Sequence, residues 1–189
     1  MVRAAVVASV IHKKPMKKHM KLGLCLAGLV LVATVNLSAQ EPKKETSAAA
    51  VTDPKAVLAG IPRDVIGDLR PGSRKMVDAA GKASMVTAKN AEGKTGTFKM
   101  TLRAVEQFQR PEAPDVKRYR LHAKIDSVRE SGVSFNVHLM SVPDVSENDK
   151  VAKLGPGSKI TVTGKISNAE ILGRQLAELH IDVMDSKLE

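Results

Sequence analysis

Aromatic and sulfur chemistry are nearly missing from this chain of 189 residues. It has no tryptophan, one tyrosine (Tyr119), three phenylalanines (Phe98, Phe108, Phe135) and a single cysteine, Cys25. Cys25 lies inside an apolar run near the amino terminus, so everything after residue 39 is free of cysteine. That excludes a disulfide framework, a thiol nucleophile and a thiolate metal site from that part of the chain. No GxSxG, HExxH or glycine-rich phosphate loop with lysine is present. "AAGKAS" (Ala79 to Ser84) lacks the first glycine that a phosphate loop needs. Ser84, Ser131 and Ser134 have no base assigned to them, and the sequence is read as a binding protein, not an enzyme.

Strong charge is also scarcer than it looks. The formal net charge is +10, but Arg3, Lys13, Lys14, Lys17, Lys18 and Lys21 all precede the first acid, Glu41. From Lys94 to the end, 15 basic residues face 13 acidic ones, so the overall electrostatic case for a polyanion partner is thin.

What is there begins with a basic segment, "KKPMKKHMK", an uncharged run from Leu22 to Val35 and the small residues of "NLSAQ". This order predicts a signal peptide over residues 1–39, cleaved near Ala39, with Met16 or Met20 as alternative starts. The run is shorter than the roughly 18 residues of a membrane span, so the mature protein is expected to be periplasmic or secreted, without a transmembrane anchor. Residues 40–53, polar, alanine-rich and bounded by proline, read as a disordered linker. Residues 54–92 hold one or two short helices, with Asp53 and Ser73 as candidate N-caps and Met76, Ala79, Ala80 and Ala83 on one face.

From Thr97 the hydrophobic period changes to two, five times over. The inward sets are Phe98, Met100, Leu102 and Ala104; Tyr119, Leu121, Ala123 and Ile125; Val133, Phe135, Val137 and Leu139; Ile160, Val162 and Ile166; and Leu179, Ile181 and Val183. Between the third and fourth, "VSENDKVAKLG" predicts a short helix with Ser146 as N-cap and Gly155 as its stop. The fold class is therefore mainly β: a five-stranded Greek-key barrel over residues 93–189 with a short helix between strands 3 and 4, preceded by the helical segment. Gly164 takes an inward position in "KITVTGKI", where a small barrel needs a bend and a close strand approach.

The turn rich in glycine leading into "KITVTGKI", and "GKTGTFKMTL" through "LHIDVMDSKL" more broadly, resemble the secreted bacterial relatives of the anticodon-binding OB-fold domains. The resemblance covers about half the chain. A five-stranded sandwich and an SH3-like barrel are the alternatives.

Two constellations sit on the outward phase. Lys99 and Arg103 on the first strand join Arg118, Arg120 and Lys124 on the second in a basic stripe. By alternation Phe98, Tyr119 and Phe135 point inward, and Phe108 stands at the end of the first strand, so the stripe has no base-stacking platform. The leading expectation is thus an exported interaction module for an acidic ligand or protein, with nucleic acid third. The runner-up is a periplasmic metal-binding protein. Pairing Ile125 with Phe135 would set His122 opposite His138, with His180 outward on the neighbouring fifth strand, a donor set that suits zinc or copper.

Overall fold

A computed structural model describes residues 50–189; the signal-peptide reading and residues 40–49 of the linker lie outside the described residues. Three helices come first: α1 (Pro54–Val57), α2 (Arg63–Asp68) and α3 (Met76–Ala91). Asp53 caps α1, its Oδ1 accepting from the Lys55 N–H at 2.8 Å. Ser73 bonds the Lys75 N–H at 3.3 Å, but α3 begins one residue later and Lys75 is its N-cap, without a side-chain cap bond. Val51, inside the expected linker, pairs with Gly96: its N–H donates to Thr95 and its carbonyl accepts from Thr97.

Five strands follow: β1 (Thr95–Arg110), β2 (Ala113–Glu130), β3 (Val133–Pro143), β4 (Lys159–Gly173) and β5 (Ala177–Leu188). They close into a barrel in the order β1-β2-β3-β5-β4, with β4 returning to β1. Only the β3–β5 pair is parallel. A short 3₁₀ turn (Val145–Glu147) and α4 (Asn148–Val151) supply the connection from β3 to β4. Its cap is Asp144, whose Oδ1 accepts from the Ser146 N–H at 2.9 Å; the predicted cap, Ser146, is the recipient. This closed strand order with an intervening helix is the OB fold. Closure removes the free edges that an open sandwich would carry.

The core is the predicted one: Phe98, Leu121, Phe135, Val137, Val162, Ile166, Leu179, Ile181 and Val183 are all essentially inaccessible. Residues 50–94 belong to the same compact unit as the strands. α3 turns Met76, Ala79, Ala80 and Ala83 into the core and lies against β4. Ser84 Oγ accepts from the Ile171 N–H at 2.9 Å, and the buried Thr87 Oγ1 donates to the Ala169 carbonyl at 2.6 Å. A Cβ on Gly164 would stand 2.7 Å from the Met184 carbonyl and 2.8 Å from Ser186 Cα. The cause is a bulge in β5: Thr163 pairs with Lys187 and Lys165 with Met184, so Asp185 and Ser186 together oppose the one glycine.

Two register expectations are corrected. Ile125 pairs with Val137, not Phe135. The two-residue turn Ser131–Gly132, both at positive φ, pairs Glu130 with Val133, and a shift between Ile125 and Val128 then alters the register again. His122 therefore faces Met140, and His138 faces Lys124. The second correction is in β1, where Leu102 pairs with Ala123 but Ala104 pairs with His122. The extra residue, Arg103, reverses the phase of everything beyond it. Ala104 joins the outward set, and Val105 packs on the core in its place.

Candidate functional site

The β1 bulge decides what the outer surface of the β1–β2 hairpin displays. Beyond it, Glu106 pairs with Arg120 and Phe108 with Arg118, on the same face as His122. Phe108 is thereby turned outward, and the Arg120 guanidinium lies over its ring at 4.4 Å from the centroid. A cation over an aromatic face gains from the ring quadrupole. The pair forms a flat, partly exposed platform with one positive charge. His122 Nε2 and Glu106 Oε2, 3.3 Å apart, hold the next position along the strand.

Toward the barrel, β1 leaves β2 at the Thr101–Lys124 pair and turns to pair with β4. The divergence opens a cleft of about 330 Å³ lined by Lys99, Lys124 and Lys159 and by the carboxylates of Asp126 and Glu189. A neighbouring cavity shares Thr101 and Lys124 and adds Arg103. Of the five basic residues expected to form one stripe, Lys99, Arg103 and Lys124 gather here and are joined by Lys159 of β4. Arg118 and Arg120 lie on the hairpin arm with Phe108. Arg120 and Lys124 are four residues apart on one strand face, roughly 13 Å.

The histidines lie across the other side of β2. The parallel register pairs His138 with His180, and their rings stack with centroids 4.8 Å apart and 22° between planes. Glu178, two residues before His180 on the same face, places Oε2 at 3.2 Å from His180 Nε2 and Oε1 at 4.0 Å from His138 Nε2. Burial, and then the neighbouring His180, hold the His138 imidazole below its usual range. His122 lines the same groove of about 410 Å³, together with Arg103, Met140, Glu170 and Asp182, but its hydrogen bond goes to Glu106. Asp182 titrates above the ordinary carboxylate range because it is partly buried; a hydrogen bond from Asn168 at 3.3 Å opposes that rise. Glu178 and Lys159 were missed from sequence. Alternation marks both as outward, but Lys159 lies on β4, outside the strands of the basic stripe, and the meeting of Glu178 with His138 depends on the parallel register of β3 and β5.

No protein-family model matches the chain, and neither does any curated protein. Solved structures do match its fold. A small single-stranded DNA-binding protein from Streptomyces coelicolor aligns over 52% of this chain and 94% of its own, at 8% identity and a TM-score of 0.34. A Plasmodium falciparum SSB complex with ssDNA aligns over 50% and 91%, at 10% identity and 0.33. DNA binding domain A of Saccharomyces cerevisiae Replication Protein A aligns over 50% and 81%, at 11% identity and 0.29. The likeness is one of fold, and none of these three is an anticodon-binding domain.

The geometry of β1 corrects the order of expected partners. Placing an exported module for another acidic ligand first and nucleic acid third rested on the stripe having no stacking platform. Phe108, turned outward beneath Arg120 by the Arg103 bulge, removes that ground.

Proposed function

We propose that this OB domain binds single-stranded nucleic acid along the outer face of β1 and β2. The observation that carries the reading is the Phe108–Arg120 platform, set on the same face as Lys124 and leading to the cluster of Lys99, Arg103 and Lys159. A base stacks on an aromatic or guanidinium plane whatever its identity, while lysine and arginine follow the phosphates. OB barrels receive oligonucleotides on the face of strands 2 and 3 and on the β1–β2 and β4–β5 loops, and the Phe108–Arg120 platform stands on the β1–β2 arm of that surface. One platform and a handful of cations imply binding that tolerates sequence and depends steeply on salt. Export is a separate proposal, resting on the leader at residues 1–39 and independent of the ligand.

Fluorescence anisotropy with labelled oligothymidylate and oligouridylate, longer than the ~16-nucleotide upper site size of one OB fold, tests the reading. Four phosphate contacts give a slope of log affinity against log salt near −2.8, so affinity should fall roughly 50-fold between 50 and 200 mM salt. Phe108→Ala should weaken binding by about 5-fold or more with the salt slope unchanged, because stacking contributes ~1–3 kcal/mol per base. Arg120→Glu with Lys124→Glu should lower both affinity and slope. Equal competition by polyphosphate, or unchanged affinity in Phe108→Ala, would reduce the face to a general polyanion surface and sink the proposal.

A further inference from the structure

We propose that His138, His180 and Glu178 form a binding site for one divalent transition-metal ion, zinc or copper(II), on the outer face of the β3–β5 pair. Their ligating atoms all lie within 4.8 Å of one another, and each side chain is half-buried. The ladder around them fixes that convergence. On either side of the His138–His180 pair, Val137 pairs with Leu179 and Leu139 with Ile181, and all four of these are buried in the barrel. With the inward residues locked, the alternation of the strands holds both imidazoles and the Glu178 carboxylate on the outer face. Parallel pairing in register brings the rings side by side with both Nε2 atoms toward one carboxylate.

The distances suit coordination. Ligands at ~2.0–2.1 Å around a tetrahedral ion stand about 3.3 Å apart. The separation of Glu178 Oε2 from His180 Nε2 is already 3.2 Å, and that of Glu178 Oε1 from His138 Nε2 is 4.0 Å, within reach of a small rotation of a partly exposed side chain. Two imidazoles and a carboxylate are a borderline donor set that favours zinc or copper(II), and without thiolate or thioether it disfavours copper(I). Three protein donors leave a position for water or ligand, and the groove of about 410 Å³ beside His138 and His180 provides room for it. His122 shares that groove but is engaged by Glu106 at 3.3 Å, so it stands outside the proposed ligand set.

The experiment is isothermal titration of the purified chain, free of any histidine tag, with zinc chloride and separately with copper(II), followed by cobalt(II) substitution monitored in the visible. The expected result is one ion per chain, a cobalt absorption band typical of low coordination number, and a metal-dependent rise in melting temperature. His138→Ala, His180→Ala and Glu178→Gln should each weaken binding by at least about tenfold, the scale seen when even supporting residues of a metal site are lost. His122→Ala should bind as wild type does. Metal-free melting curves of the four variants, expected to overlay that of wild type because all four side chains lie outside the core, separate loss of a ligand from loss of the fold. A wild-type Kd weaker than ~0.1 mM, or histidine variants that bind as wild type does, would overturn the proposal. No oligonucleotide is present in this titration, so its failure leaves the nucleic-acid reading to its own test.

Discussion

Replacing Gly164 by alanine adds a single methyl group and should measurably destabilise the barrel. That methyl carbon would lie 2.7 Å from the Met184 carbonyl oxygen, 2.8 Å from Ser186 Cα and 2.8 Å from Val183 Cγ1. Against an ordinary contact distance near 3.5 Å, each is short by about 0.7–0.8 Å. Two of the three atoms belong to the backbone of the β5 bulge, which cannot swing away as a side chain would. Overpacking of this kind costs on the order of 1–3 kcal/mol, and the backbone contacts put Gly164→Ala toward the upper end. A domain of about 140 residues has an unfolding entropy near 0.3 kcal/mol/K, so each kcal/mol lowers Tm by about 3 °C, and the expected drop is roughly 6–10 °C. The same change at Gly81 provides a control of opposite sign. Gly81 is exposed inside α3, and an added Cβ there meets nothing within 4 Å. Gly81→Ala should raise stability by about 0.5–1 kcal/mol, because glycine loses more chain entropy than alanine on entering a helix. Differential scanning calorimetry of the two variants and wild type reads both effects. If Gly164→Ala melts with wild type, β5 is not seated against β4 at the bulge and the packing argument is wrong.

Thr87→Val keeps the shape of a buried residue but deletes the hydroxyl that joins α3 to the Ala169 carbonyl; urea unfolding should show a loss on the order of 1 kcal/mol. The charge reversals Arg120→Glu and Lys124→Glu should leave the melting temperature within about 2 °C of wild type while lowering oligonucleotide affinity and its salt slope, since charges on an outward strand face contribute little to stability. Mass spectrometry of the chain expressed with its leader should find the mature amino terminus near Gln40 in the extracytoplasmic fraction; an intact apolar segment in the membrane fraction would end the export reading.

Alternation carried most of the fold, because a half-buried strand must place apolar residues at every second position, and closure followed from five such strands with a helix after the third. Where a strand gains a residue, alternation gives no warning. The bulge at Arg103 has no glycine or proline to mark it, yet it reverses the phase of β1 and so decides whether the chain has an outward aromatic at all. The irregularity between Ile125 and Val128 likewise hides in "IDSV" and displaces the expected histidine pairing. Gly164 was legible for the opposite reason: a glycine at an inward position is a visible departure from the pattern. Glu178 was legible in principle, as the outward residue two before His180, but its meeting with His138 depends on β5 pairing with β3 in parallel register. The helices before the barrel were underestimated, since α3 docks by small residues and by hydrogen bonds from Ser84 and Thr87, and such docking carries little periodic signal.

The near-neutral balance of the barrel region conceals a division of its outer face. Lys99, Arg103, Lys124 and Lys159 outnumber Asp126 and Glu189 in the clefts beside β1 and β2, and Arg120 extends the positive side along the hairpin. Glu178, Asp182 and Glu170 occupy the β5 and β4 side, where burial and the nearby Glu170 both push Asp182 toward its protonated form. A phosphate backbone crossing from β2 to β5 would leave the first group for the second, and at partly buried positions that repulsion is screened less than in open solvent. A path that keeps phosphates on the cations and a base on Phe108 therefore runs along the β1–β2 hairpin instead of around the barrel. The two groups meet at β2, where Arg103 enters the groove of the histidines and Lys124 pairs with His138. The basic side suits an extended anion, and the acidic side, with two imidazoles converging on Glu178, suits a cation.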